Sequence, residues 1–468
     1  MLKIKEIVTC TNGKLIAGNM TGAVKGISTD SRNINKGELF IAVKGPNFDG
    51  HNFIDKALDK KAQGLLVAKA WFGACADKMA KIKRPIIIVP DTVIALGQIA
   101  HFYRNKFNRP IIAVTGSNGK TTTKEMIATV LCSKYKVLKS PVSFNNHMGV
   151  PLTLLKLTSL HKAAVLEMGM NHKGEIRCLS NIARPDIAVI TNAGRAHLEF
   201  FNNLQEIIQA KCELLEKLGK DAIAIVNADQ TELFTQANKF NVKLIGFGIK
   251  NDCQYRASNL IEVNGGLEFA INKKHKFRLN ILGRHNAYNA LAAIAVADQL
   301  GIDMQNIQKQ LMGFQGLDLR MQKMALNGIE IFADCYNANP DSTQAAIETL
   351  IAVKSEKRKI LVFADMLELG KFSKDCHYDI GKLAAKRRVD ILITVGTAAA
   401  EAAKAARDYG MSKQSVFSCV NCEEAYRMLT EILQPKDVIL LKGSRRMCLE
   451  QILEKIVDMP SLTAIQPL

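Results

Sequence analysis

The stretch "AVTGSNGKTTTKEM" (113–126) limits what this chain can fold into more than any other. It continues the apolar run "RPIIAVTG", which reads as a buried strand, and leads into "KTTTKEMIATVLCSKY", which reads as a helix. A strand, a glycine-rich turn and a helix in that order aim successive backbone N–H groups at one point, and the helix N-terminus adds roughly half a positive charge. Gly116, Ser117, Asn118 and Gly119 would form that anion-binding turn. Lys120 would reach the β- and γ-phosphates of a nucleotide, and the hydroxyl of Thr121 or Thr122 would bind Mg²⁺. The spacing is unusual. An ordinary phosphate loop leaves four residues between its first glycine and the Gly-Lys pair. Here two residues separate Gly116 from Gly119, and Val114 stands where the first glycine would fall.

The rest of the chain supplies the frame for such a loop. At about 100–200 residues per domain, 468 residues make two to four domains. Strand-like and helix-like segments alternate, which implies parallel sheets with crossover helices. Three sections separate: 1–90, ending at "RPIIIVPD"; 91–316, holding the loop and ending after "LNILGRHNAYNALAAIAVADQL"; and 317–468, a second α/β pattern. The expected fold is therefore α/β. No stretch approaches the roughly 18 uninterrupted apolar residues of a membrane span. The first residues lack the pattern of a signal peptide, so a cytoplasmic location is expected. The eleven cysteines fit it as reduced, mostly buried side chains. Cys419 and Cys422 have CxxC spacing but no second Cys pair and no cationic neighbour, and read as a loop entering a helix rather than a zinc or redox site.

The net charge of +19 is scattered, with short runs such as "NKKHKFR" and "EKRK", no basic tail and no basic/aromatic RNA-binding motif. It suits an enzyme whose substrates carry phosphates and carboxylates. A nucleic-acid-binding ATPase is the rival of another class, and would show steeply salt-dependent binding.

Two side chains beyond the loop can be read chemically. Glu167 ends the strand "AAVLEMG", and His197 follows a strand ending at Thr191, so both are placed at the carboxyl edge of one sheet beside the loop. They are candidate Mg²⁺ ligands or ligand orienters. Lys211 lies on a helix striped by Leu204, Ile207, Ile208, Leu214 and Leu215, where a lysine ordinarily snorkels to the surface.

The shortened "TGxxGKT" resembles the ATP site of the Mur ligases and the related folylpolyglutamate synthases, which are amide-forming enzymes. "SFNNHMGVP" (143–151), "LEMGMNHKGEI" (166–176), "ITNAGRAHLEFF" (190–201), "AKCELL" (210–215) and "GRHNAYNALAA" (283–293) follow in the order of that superfamily. The resemblance covers essentially the whole chain. It implies a Mur ligase architecture of three domains: a uridine-nucleotide domain, a central ATP-binding domain and a Rossmann-like domain that closes on ATP. It also implies that Lys211 is carbamylated to N6-carboxylysine and helps to hold magnesium. By the same resemblance Lys120, Lys211, His197 and Arg320 would serve catalysis, while Thr121, Glu167, His197 and carbamylated Lys211 would bind the metal. His285, Asn286, Asn289, Arg320 and Asp334 would contact ATP; His285 and Asn286 would also be suited to cap their helix.

The outer sections narrow the match. "STDSRNINKGELFIAVKGPNFDGHNF" (28–53) resembles the uridine-nucleotide domain of members that extend the peptidoglycan stem, with Ser31 and Arg32 as diphosphate contacts and "FDGHNF" nearby. This section argues against a folylpolyglutamate synthase. "DCYNANPDS" (334–342), "FADMLELG" with His377, and "LLKGSRRM" are similar to the members that add a terminal dipeptide. Asn145, Asn146, Tyr336, Asn337 and Asn339 would shape the dipeptide pocket. Ala333, Ala364, Ala193 and Phe200 depart from the usual residues, none at a position assigned to chemistry. The implied activity is ATP-dependent joining of D-Ala-D-Ala to UDP-N-acetylmuramoyl-tripeptide through an acyl phosphate. Its partners would be small molecules only, with no nucleic acid and no membrane insertion, and the protein is expected to be a monomer.

Overall fold

The computed structural model describes residues 1–75, 82–263, 265–326, 328–353 and 358–457; Glu356 and Lys357 of the "EKRK" run lie outside the described residues. Three sheets organise the chain, with a short ribbon pairing Leu2–Lys3 to Ala23–Val24. The first runs, in spatial order, Lys14–Ala17, Ile86–Val89, Gly64–Ala68, Glu38–Ile41 and Gly26–Ser28, parallel except for the antiparallel Lys14–Ala17.

The central sheet has nine strands, in the order His275–Leu279, Gly266–Ile271, Tyr255–Val263, Lys243–Gly248, Ile223–Asn227, Ile187–Ile190, Ile111–Thr115, Ala163–Glu167 and Val137–Lys139. From Tyr255–Val263 onward the strands are parallel. Ile111–Thr115 is buried at every residue because helices cover both faces. Ile112 and Val114 pack into one core with the helices Lys120–Cys132 and His285–Gln299. Ile111 and Ala113, one residue out of phase, join the opposite core with residues of the helices Glu175–Ala183 and Leu204–Cys212. The alanines of His285–Gln299 leave it thin enough to lie close against Lys120–Cys132.

Alternating segments predict mainly parallel sheets; besides the antiparallel edge strands of the outer sheets, one region of the central sheet departs from this. Tyr255–Val263, Gly266–Ile271 and His275–Leu279 pair antiparallel. The basic run "NKKHKFR" is the turn and return strand of this ribbon. Asn272 and Lys273 turn the chain with φ of 50° and 60°, and Lys276 and Arg278 take the exposed positions between buried Phe277 and Leu279.

The third sheet runs Gln322–Leu326, Ile329–Asp334, Val438–Lys442, Lys359–Ala364, Ile391–Val395 and Val416–Cys419, parallel except for its first strand. Cys419 closes its strand, and Cys422 opens the helix Cys422–Ile432 behind the Asn421 cap, a loop entering a helix. Among the described residues, no helix is long and apolar enough to cross a membrane.

Candidate active site

The turn after Ile111–Thr115 is tied down before any ligand arrives. Gly116 has φ of 151°, and a Cβ there would lie 1.9 Å from Thr191 Oγ1; Gly119 has φ of 79°, and its Cβ would lie 2.3 Å from Asn289 Oδ1. Both positions therefore require glycine. The loop after Ile187–Ile190 grips the turn: Asn192 O accepts from Ser117 N at 3.0 Å and Asn192 Oδ1 from Asn118 N at 2.8 Å. Ser117 Oγ and Gly194 N meet at 2.8 Å. Lys120 Nζ donates to the carbonyls of Gly116 (2.7 Å) and Ser117 (3.2 Å), so its ammonium lies folded over its own loop. Desolvation lowers its pKa; Glu167 opposes the shift and the Arg320 charge adds to it.

The carboxyl edge of the third sheet meets this turn. Arg320 Nη2 donates to Thr121 Oγ1 at 2.9 Å, and its guanidinium lies 4.2 Å from the centre of the Tyr336 ring. Tyr336 Oη reaches Ser143 Oγ at 2.6 Å. Asn118 and Asn339 exchange amide hydrogen bonds, with Asn339 Nδ2 donating to Asn118 Oδ1 at 2.8 Å. Arg195 pairs with Asp341 at 3.0 Å, and His197 Nδ1 with Glu368 Oε2 at 2.7 Å. A single surface thus joins Thr121, Asn118, His197, Arg320, Tyr336 and Asn339.

Below it lie the charged groups. Glu167 is 3% exposed; its Oε1 accepts from Asn145 Nδ2 at 2.9 Å, while Oε2 is a buried acceptor with no hydrogen-bond partner. Lys211, read by position as a surface lysine, is 2% exposed. Its stripe is also shorter than the pattern predicts. Leu204 is 42% exposed, and the helix ends at Cys212, where a 3₁₀ turn takes Leu214 and Leu215 into the core. Lys211 Nζ has no hydrogen-bond or ion-pair partner among the described residues. Burial and then the nearby Lys120 charge hold its pKa well below the usual lysine range.

Other predicted residues are partly committed to structure. Neither His285 nor Asn286 caps the helix His285–Gln299. Its first position follows Arg284 with no side-chain cap, and Asn286 Nδ2 donates back to Leu282 O at 2.7 Å. Asn289 Nδ2 donates to Asn286 Oδ1 at 2.9 Å, and its own Oδ1 accepts from Thr123, so this pair braces the phosphate-loop helix. Burial lowers the pKa of His285, with Asp334 and Lys442 close enough to act on it. Asn146 Oδ1 takes the backbone N–H groups of Met148 and Gly149, and Asn339 Oδ1 caps the helix Pro340–Ala352. Asn337 is exposed at the lip of its loop. In the first section Ser31 is buried. The Arg32 side chain is 85% exposed and held by Asp30 at 2.9 Å. His51 of "FDGHNF" is a latch: Nδ1 meets Asp49 at 2.6 Å, Nε2 accepts from Ala68 N at 3.1 Å, and its ring stacks on Trp71.

Family models match the chain in three consecutive pieces: the Mur ligase family catalytic domain over 23–104, the Mur ligase middle domain over 114–297, and the Mur ligase glutamate ligase domain over 319–445. The UDP-N-acetylmuramoyl-tripeptide–D-alanyl-D-alanine ligase of Bacillus subtilis is 36% identical over 98% of both chains. The chain belongs to the Mur ligase family. A crystal structure of MurF from Acinetobacter baumannii superposes with a TM-score of 0.88 at 30% identity, covering 98% of this chain and 99% of that one. A MurF ligase from Thermotoga maritima in complex with ADP gives a TM-score of 0.81 at 28% identity, covering 93% of this chain and 97% of that one.

In this Mur ligase two lysines outside the predicted set stand at the site. Lys442, in "LLKGSRRM", is buried, pairs with Asp334 Oδ2 at 2.9 Å and donates to Asn337 O at 2.8 Å. Lys124 lies one turn after Lys120 and is fully buried. Both were visible as lysines inside motifs, but only the sheet edges give them their partners. Of the departures from the family pattern, Phe200 lies 4.6 Å from the His172 ring and Ala193 is buried in the core.

Proposed function

We propose that this Mur ligase joins D-alanyl-D-alanine to UDP-N-acetylmuramoyl-tripeptide, cleaving ATP to ADP and phosphate in the cytoplasmic stage of peptidoglycan synthesis. The observation that carries this reading is the meeting of two lobes at one point, Arg320 Nη2 2.9 Å from Thr121 Oγ1 beside the phosphate loop, in a chain alike end to end to a ligase of that name. The first section would hold the uridine nucleotide through Ser31 and Arg32, with divisions near residues 90 and 316.

A carboxylate does not condense with an amine at neutral pH, because oxide is too poor a leaving group. In the proposed route the terminal carboxylate of the tripeptide attacks the γ-phosphorus of ATP, the bond to the β-phosphate oxygen breaks, and an acyl phosphate and ADP result. The amine of D-alanyl-D-alanine then attacks the carbonyl carbon, phosphate leaves, and the amine loses a proton. The protein's part is positioning and charge neutralisation. Two unit anions 4 Å apart repel by about 4 kcal/mol at an effective dielectric near 20. Lys120 and Arg320 oppose that repulsion from two sides. His285, Asn286, Asn289 and Asp334 would hold the nucleoside; Asn145, Asn146, Tyr336, Asn337 and Asn339 would line the dipeptide side. The amide oxygen of Asn146 accepts from the backbone N–H groups of Met148 and Gly149 and that of Asn339 caps its helix, so these two would offer only their NH₂ groups.

The residues present fit magnesium. Glu167 Oε2 is a buried carboxylate oxygen without a hydrogen bond, and Thr121 Oγ1 already accepts from a cationic group. A desolvated Lys211 beside Lys120 is poor as an ammonium and reactive toward CO₂ as a free amine, and as a carbamate it would answer the Lys120 charge. Thr121, Glu167 and carbamylated Lys211 would hold the ion, with His197 at the rim, and the ion would neutralise phosphate charge. The test is phosphate release with ATP, UDP-N-acetylmuramoyl-tripeptide and D-alanyl-D-alanine, omitting each in turn. Sustained release is expected only with all three, and release indifferent to the dipeptide would overturn the assignment.

A further inference from the structure

The phosphate-loop helix carries a second lysine that the mechanism does not use. Lys124 is 0% exposed. Its Nζ donates to Ser140 O at 2.7 Å, pairs with Glu125 Oε1 at 3.0 Å, and stands 4.0 Å from Glu167 Oε2, the carboxylate oxygen that has no hydrogen bond. Ser140 couples the two, since its Oγ accepts from Glu167 N at 3.1 Å. Glu125 in turn pairs with Lys139 at the surface. The result is a row of alternating charges, Lys139, Glu125, Lys124 and Glu167, running from the surface to the bottom of the phosphate site. A buried lysine is costly unless paired, and Glu125 pairs this one. The 4.0 Å approach to Glu167 is therefore beyond what Lys124 needs for its own satisfaction.

We propose that Lys124 is a positioning residue that acts through Glu167: it supplies the counter-charge that keeps this carboxylate in place in the metal-free site, and it opposes the incoming magnesium at the same oxygen. The inference rests on the reading of Glu167 as a magnesium ligand. Its consequence is that the site gives up magnesium readily with each product release, because a fixed positive charge waits at the carboxylate.

The experiment measures ADP binding by calorimetry across a magnesium titration, with thermal melting of the same samples, and needs no turnover. In Lys124→Met the half-saturating magnesium concentration should fall by at least about tenfold, because a unit positive charge a few ångströms from a divalent ion opposes its binding even at the dielectric of water. Lys124→Arg, which keeps the charge, should stay within about twofold of the wild type. Lys124→Met should also melt lower without magnesium and gain more from magnesium and ADP than the wild type does. If the single variant fails to fold, Lys124→Met with Glu125→Gln removes the pair together and should show a tightening in the same direction but smaller, because the Glu125 anion is lost with it. An unchanged or raised half-saturation in the folded variant overturns the proposal. Glu167→Gln separates the two readings. If it abolishes the magnesium dependence of ADP binding while Lys124→Met changes nothing, only the role of Lys124 falls; if it leaves that dependence intact, the metal assignment itself fails.

Discussion

The turn at 116–120 and the turn at 30–32 each offer one basic side chain to an anionic substrate, and the fold treats the two in opposite ways. Lys120 is desolvated, feels the Glu167 carboxylate and the Arg320 charge without pairing directly with either, and donates only to carbonyls of its own loop. Arg32 lies in water and is already paired with Asp30 two residues away, which raises its pKa and lowers that of Asp30. Both positions are a cation in a polar turn. The difference is whether a neighbour has already answered the charge. A cation held without a directly paired anion in a low-dielectric pocket gains strongly when a phosphate arrives; an exposed, paired one exchanges one anion for another and gains little.

The largest expected effect is at the first turn. Lys120→Ala should lower phosphate release by about three orders of magnitude, since about 4 kcal/mol of repulsion corresponds to that factor at about 1.4 kcal/mol per tenfold. A variant retaining a tenth of wild-type turnover would break the contrast. An intermediate effect is expected at Lys211, buried in the same cluster, and its sign follows from linkage. Burial and Lys120 lower its folded-state pKa below 10.5. Between those two values the unfolded chain binds more protons, so the group destabilises the fold at neutral pH and less so as pH rises toward 10.5. In CO₂-free buffer Lys211→Met should therefore melt above the wild type at pH 7, by a margin that shrinks at pH 9.5, while losing activity. A margin independent of pH would mean the amine is not desolvated. The smallest effect is at Arg32→Ala: melting should shift by no more than about 1–2 °C, as for an exposed ion pair, with KM for the uridine substrate rising severalfold and kcat unchanged. A collapse of kcat would place Arg32 alongside Lys120 and end the contrast.

The legibility of the site divides along the same line. The phosphate loop was readable residue by residue because its requirements are local: two glycines at positive φ, a lysine opening the helix, a strand before it. Glu167 and His197 were placed on the correct edge because a strand end is also a local feature, but the third-sheet partner of His197, Glu368, comes from a residue 171 positions away. Position alone puts Lys211 at the surface, where the structure buries it. A lysine between apolar residues on a helix looks the same whether its face meets water or a second helix layer. Asn146, Asn286 and Asn339 look like ligand contacts in their motifs, yet part of each side chain is engaged by nearby backbone. The antiparallel ribbon at 255–279 was hidden because a basic, alternating segment resembles a surface run until it is paired.

By itself the amino-acid order determined the nucleotide turn, the alternating α/β pattern and the succession of motifs, all of which depend on contacts within a few residues or on periodicity along one element. Tertiary structure alone decided which charges are buried, which are already paired and which two lobes meet at Thr121. Those properties depend on the dielectric and the neighbours that distant segments bring to a point, and no local pattern encodes them.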